Sequence, residues 1–332
     1  MPIRPTPRIS LAALPLVLTL ALAGCSSDGQ PVAPGPDCDG FNLVAFASDH
    51  DHAVGETDIY LYDLDLSALR ALPGLNTTSP EHHPTLAYDR RTLAFVGSGG
   101  AGNDDILLYN RCTAIRVTVP ELATASNEAD PAFSGDGRLL AFARDTTTSW
   151  RLRMFDGQAL KLVAMPALDS LAALFGPYQD RRPAPDQTAR LIAFSSNRSG
   201  NWDVWLYDRA RDSVIDIPEL RSPADDDDPC LTPDDSFLAF ASNRASGAGG
   251  WDVYLFDLRS RTFVDVSGLN SAADDRDPAL WKDGSLVVFT SNRPGGKGRT
   301  DLWTYHLSSH TVVPLSLASS PGDDLEPGLI SP

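Results

Sequence analysis

From Phe41 onward the chain repeats one pattern of apolar and polar positions. The clearest copy runs from Asp225 to Leu258 and reads DDDDPCLTPDDSFLAFASNRASGAGGWDVYLFDL. An acidic run leads into a proline, and a short apolar run then ends in the turn Thr232-Pro233-Asp234-Asp235. A second apolar run, Phe237 to Ala241, is followed by Ser242-Asn243-Arg244 and a Gly-rich loop. A third, Asp252 to Asp257, alternates apolar and polar residues. Alternation, with β-branched and aromatic residues between turn signals, predicts strands, here a small antiparallel meander.

The copies align without gaps in their first half. Pro84, Pro131, Pro183, Pro229 and Pro278 are each followed eleven positions later by a phenylalanine: Phe95, Phe142, Phe194, Phe240 and Phe289. Three positions before each proline stands an acid: Glu81, Glu128, Asp180, Asp226 and Asp275. Asp105, Asp203, Asp252 and Asp301 open the third strands, with Arg151 in that place in the third copy. The prolines lie 46 to 52 residues apart. A period of this size implies a propeller or an array, because one unit cannot bury its own apolar face.

The ends complete the count. Phe41-Asn42-Leu43-Val44-Ala45-Phe46 matches a second strand, and Asp58 opens that copy's third. The missing first strand stands at the C-terminus, from Asp324 through Pro327 to Pro332. The expectation is an all-β, six-bladed propeller over residues 41–332, closed when the C-terminal strand completes blade one. Closure of this kind removes free sheet edges.

Residues 1–24 carry Arg4 and Arg8 and then an apolar stretch from Ile9 to Ala23, interrupted by Pro15. The stretch is short for a membrane span and reads as a secretory signal. Leu22-Ala23-Gly24-Cys25 has the form of a bacterial lipobox, which makes Cys25 the expected lipidated residue. Residues 25–40, rich in Pro, Gly and Ser, are read as a flexible tether. The implied location is the cell envelope: a lipid anchor, an outer-membrane address by analogy with Gram-negative lipoproteins, and no membrane contact beyond the lipid.

The net charge of −17 argues against nucleic acid or anionic lipid as partners and permits a basic partner or cations. Cys230 falls within a first strand and reads as a buried thiol. Cys38 lies just before a second strand and Cys112 just after a third. In an up-and-down blade those positions share one end of the ring. A Cys38–Cys112 disulfide is therefore expected, although spacing does not fix the pairing.

Blades four to six carry Ser196-Asn197-Arg198, Ser242-Asn243-Arg244 and Ser291-Asn292-Arg293, where blade one has Ser48-Asp49-His50. An apolar insertion, Ala167 to Tyr178, reads as a short helix covering a blade or as a partner contact. The units D-P-x-x-S-x-D-G-x-L-x-A-F (Asp130 to Phe142), S-N-R-x-x-G and W-D-V-(W/Y)-L-(Y/F)-D resemble the WD40-like repeats of the TolB-type β-propeller over nearly all of residues 40–332. The resemblance implies four-stranded blades with the proline-led strand innermost. It also implies that the acidic and Ser-Asn-Arg loops share one face. The TolB family carries an α/β domain before its propeller, where this chain has only the tether.

No Gly-x-Ser-x-Gly elbow and no phosphate-binding Gly loop is present in the sequence. The acids before the prolines suit turns, accepting backbone N–H groups, and the Ser-Asn-Arg arginines suit pairing with nearby acids. A turn acid can also line an opening. Glu81, Glu128, Asp180, Asp226, Asp275 and Asp324 are accordingly expected to form an acidic partner-binding mouth, reinforced by Asp225, Asp227, Asp228, Asp274, Asp277 and Glu326. His50 and His52 lie on a loop of blade one, and His82 and His83 on the acidic loop of blade two. Imidazoles with carboxylates suit zinc or manganese, and the resemblance extends to pectin-fragment lyases with a metal site of this composition. The reading favoured is a non-catalytic envelope module without a cofactor, binding a protein, peptide or glycan. The alternatives are a metal-dependent polysaccharide lyase or hydrolase, with a divalent cation on those histidines, and a purely structural envelope protein.

Overall fold

Why the second strands read as near-continuous apolar runs is plain from their surroundings. Leu43–Ser48, Leu191–Ser196 and Phe237–Ser242 each lie between two other strands of a blade, and each blade is covered on both faces by its neighbours. In the computed structural model, which describes residues 42–50, 56–99, 102–175, 178–315 and 320–330, the strands form six four-stranded antiparallel sheets. Blades two to six take their strands in chain order from the inside out. Blade one is ordered Asp324–Ile330, Leu43–Ser48, Asp58–Asp63, Ala68–Arg70, so the C-terminal strand closes it as expected. Leu43 pairs with Ile330 and Ser48 with Asp324.

The six innermost strands are His82–Leu86, Glu128–Phe133, Asp180–Pro185, Asp226–Leu231, Asp275–Leu280 and Asp324–Ile330. Each touches the next, and the last returns to the first, so the sheets make a ring around a central channel. This is the six-bladed propeller the repeat predicts. The core lies between blades: Leu206 and Phe194 of blade four face inter-blade layers, and one such layer joins Val204 and Leu206 to Leu238, Phe240 and Phe256 of blade five. The outermost strands are short and carry exposed Leu69, Ile115 and Phe263. Short edge strands of this kind limit unwanted pairing.

The insertion between blades three and four is the helix Pro166–Phe175. Leu168 packs with Leu152, Met154, Met165 and Tyr207, so the helix start seals the groove between two blades. Among the described side chains of the insertion, Leu168 and Tyr178 follow the covering reading. Tyr178 is buried beneath two guanidiniums, Arg151 at 4.1 Å and Arg198 at 4.8 Å from its ring centroid. Arg151, which replaces the aspartate of the other blades, also donates to the Tyr178 carbonyl. Among the described residues no helix is long and apolar enough to cross a membrane.

Candidate binding site at the channel mouth

The six acids that precede the prolines by three positions are buried, each at 0 or 1% exposure. This corrects the expectation that Glu81, Glu128, Asp180, Asp226, Asp275 and Asp324 line a mouth. They lie beneath it, and the cause is a local circuit. In blade five Arg244 donates to Asp226 at 2.7 Å and to Ser242 Oγ at 3.0 Å, with its guanidinium 5.3 Å from the Phe240 ring. Asn243 Oδ1 accepts the N–H of Asp225 at 2.9 Å. The same circuit joins Arg198 to Asp180 at 2.7 Å and Arg293 to Asp275 at 2.6 Å. Acid, Ser-Asn-Arg and phenylalanine are therefore parts of one buried unit, which accounts for their fixed spacing.

Where the triplet is missing, the chain compensates. Blades two and three use the longer glutamate. Glu128 takes Arg144 at 2.7 Å, and Glu81 takes Arg116 at 3.5 Å. Both arginines still lie over the repeat phenylalanine, Phe142 and Phe95. In blade one His50 occupies the arginine position, its ring 6.3 Å from Tyr60. Asp324 instead accepts from Ser48 at 2.6 Å and from the Ser320 N–H at 2.8 Å, and among the described residues no guanidinium pairs with it. Burial pushes its carboxyl up to about 6. Burial also raises Glu81, Glu128 and Asp226 despite their partners.

The mouth itself is made two residues further along. In every innermost strand the ladder breaks at the proline, for example between His82 and Thr85 and between Arg276 and Ala279. The residue just before each proline sits in the left-handed region: His83 at φ 49°, Asp130 at 53°, Arg182 at 52°, Asp228 at 55°, Asp277 at 47° and Glu326 at 56°. A bulge of this type bends the strand and re-aims one side chain. Here six side chains turn into one cavity of about 420 Å³, floored by the six prolines. Beyond the prolines the channel continues as an apolar cavity of about 640 Å³ past Thr85, Ala132, Cys230 and Ala279. Cys230 is a free, half-buried thiol on that wall, packed against the core layer between blades five and six; burial pushes it up to about 11, and its sulfur accepts the Leu280 N–H at 3.3 Å.

The mouth is not of one sign. Asp228, Asp277 and Glu326, expected as reinforcement, do line it, but Arg182 and Arg276 stand among them. Arg182 pairs with Asp228 and lies 3.5 Å from Asp227 and 3.9 Å from Asp277. Arg276 reaches Asp228 at 3.1 Å and stacks 3.9 Å from the Trp251 ring centroid. Arg181 pairs with Asp130 at 3.0 Å. Burial alone would raise Asp130, but His83, Arg181 and Arg182 outweigh it and hold the carboxyl at about 2. Asp225 and Asp274 lie outside the mouth, where they accept the N–H groups of Trp202 and Trp251. Asp130, Arg182 and Arg276 were not singled out from the sequence. For Asp130 and Arg182 a signal was present, since each stands immediately before its repeat proline, as His83, Asp228, Asp277 and Glu326 do; Arg276 stands one residue earlier and lacks it.

Of the candidate metal residues, His82 and His83 converge, with Nδ1 atoms 2.6 Å apart, and Glu326 lies 3.0 Å from His83 Nε2. Burial and the neighbouring His83 lower His82. His50 is exposed and stands outside this cluster. His52, Cys25 and Cys38 fall outside the described residues. Cys112 is disulfide-bonded.

No family model and no curated protein matches the chain. Among solved structures, TolB from Acinetobacter baumannii is similar over 88% of this chain and 67% of its own, at 18% identity and a TM-score of 0.66. A putative TolB from Agrobacterium tumefaciens matches 88% of this chain and 98% of its own, at 13% identity and a TM-score of 0.60. An oligogalacturonate lyase from Vibrio parahaemolyticus matches 85% of this chain and 76% of its own, at 14% identity and 0.53. These likenesses give the fold, a TolB-like propeller, and no chemistry with it.

Proposed function

We propose that this chain is a binding module of the cell envelope, whose propeller takes a segment of a partner protein at the charged mouth of its channel. One observation carries the reading. A left-handed conformation costs an L-residue about 1–2 kcal/mol, and glycine adopts it freely. All six mouth positions are left-handed, and all six keep a polar side chain. Strain retained at one place and repeated around a ring points to use of those side chains. Their mixed charge suits a polypeptide that offers both a basic and an acidic group, each meeting a fixed counter-charge. The lipobox at Cys25 supports attachment of the ring to a membrane.

The test is capture from the native envelope with the lipidated parent and with an Arg182→Ala/Asp277→Ala variant side by side. A protein held by the parent and lost by the variant supports the mouth. Equal retention by both overturns it. Metabolic fatty-acid labelling tests the anchor, and Cys25→Ala abolishes the label if the lipobox is used. The alternative of a metal-dependent polysaccharide lyase has one observation in its favour, the convergence of His82, His83 and Glu326. Formation of unsaturated product from oligogalacturonate would establish it.

A further inference from the structure

Neighbouring side chains on a strand point to opposite faces. His82 and His83 do not. The left-handed turn at His83 brings both imidazoles to one side, with ring centroids 4.9 Å apart and Nδ1 atoms at 2.6 Å. Glu326 enters the same spot from the corresponding bulge of the closing strand, and the donor atoms of His82, His83 and Glu326 all lie within 4.8 Å of one another. We infer that these three side chains form a site for a zinc-class divalent cation that clasps the closing strand to blade two. The site shares His83 and Glu326 with the mouth and all three residues with the lyase alternative, but its test reads zinc binding and stability and needs neither a partner nor activity.

The donor chemistry selects the ion. Two imidazoles and one carboxylate suit zinc, whereas calcium and magnesium prefer all-oxygen sets. Zn–N bonds of about 2.0–2.1 Å in a tetrahedron put donor atoms about 3.3 Å apart. From 2.6 Å the two rings need to separate by less than the length of a bond, which small χ rotations supply. A ligating imidazole is normally oriented by a carboxylate behind it. His83 Nε2 faces two carboxylates, Asp130 at 3.4 Å, which Arg181 and the Arg182 N–H hold in place, and Glu326 at 3.0 Å, which has to turn from this nitrogen to reach an ion held at Nδ1. The cluster borders two cavities, the mouth and a smaller one lined by His82, Asp104 and Glu326, so a fourth ligand has access.

The position gives the cation its role. Glu326 belongs to the strand that closes the ring, and His82 and His83 belong to the first complete blade. The two strands are at close approach here: the His83 N–H donates to Glu326 at 2.6 Å. A side chain at Gly328 would meet the Pro84 carbonyl at 2.6 Å. An ion bound across this seam ties the last strand of the chain to its neighbour.

The experiment uses the purified full chain, stripped with chelator and titrated with zinc, magnesium and calcium. Expected are one zinc per chain and a melting temperature that rises with zinc and not with the other two. His82→Gln and His83→Asn each weaken zinc by about tenfold or more. Asparagine tolerates the left-handed region, so the second variant keeps its bulge. His310→Gln, a surface control, binds zinc like the parent. Amide exchange in residues 324–330 slows when zinc is added. Zinc affinity unchanged in both ligand variants, or equal stabilisation by calcium, overturns the site. Exchange in the closing strand that ignores zinc overturns the clasp.

Discussion

Two rings of six ionisable side chains lie two residues apart in the chain and behave in opposite ways. The lower ring, from Glu81 to Asp324, is sealed, and five of its members have a buried or half-buried arginine. The upper ring, from His83 to Glu326, is strained, borders a cavity and pairs across blades as well as within them. The lower ring repeats one arrangement with small substitutions. The upper ring varies freely among His, Asp, Arg and Glu. A repeat holds constant what assembles each blade and lets vary what faces the channel. The difference predicts where a mutation costs stability and where it costs binding.

The largest effect comes from breaking the lower ring. Asp275→Ala leaves Arg293 without its carboxylate in a closed site, and the expected loss is about 3–5 kcal/mol. Urea unfolding of parent and variant measures it. A loss near zero would mean that the arginine escapes to solvent and the circuit is ornamental. Replacing Asp226, Asp275 and Asp324 together by Asn is expected to unfold the chain rather than retune a mouth.

A smaller effect separates the rings by pH. The Asp324 carboxyl titrates near 6 in the folded chain and near 3.9 unfolded. Between those values the folded chain holds a proton that the unfolded chain has released. Stability therefore falls as pH rises through that window, by up to about 3 kcal/mol, and levels off above about 6. Asp130 has the opposite sign. Its folded value of about 2 contributes stability above pH 3.9 that is lost as pH falls towards 2. Asp324→Asn flattens the upper slope and Asp130→Asn the lower. Unfolding free energies from pH 3 to 7 that keep both slopes in both variants would break the assignment.

Most of the fold was legible because a propeller writes its period into the chain. The proline, the acid and the phenylalanine recur at fixed spacing since each belongs to one circuit, and the split blade shows in where the pattern starts and stops. The site was half legible. Asp228, Asp277 and Glu326 stood out as charge, yet the acids placed at the mouth from sequence turned out to be its foundation. Alternation along a strand gives no warning of a bulge, and the bulge decides which of two nearby residues faces the channel. Asp130, Arg182 and Arg276 were missed for a related reason. Charges that neutralise one another across blades, such as Arg276 with Asp228, are 48 residues apart and have no local signature.

The smallest expected change is the most telling for the comparison. Glu326→Gly removes a left-handed strain of about 1–2 kcal/mol and also removes the acceptor of the His83 N–H, a loss of about 1.5–3 kcal/mol for a charged acceptor. Glycine's extra freedom in the unfolded chain takes back part of the relief. With chelator present, so that no cation contributes, the net change is expected to stay within about 1–2 kcal/mol, smaller than that of any single break in the lower ring. The same variant lacks one wall charge of the mouth, so capture of a partner falls although the propeller stays folded. If instead Glu326→Gly destabilised the chain as much as Asp275→Ala while leaving capture intact, the upper ring would be a second structural circuit, and the binding face would have to lie elsewhere on the propeller.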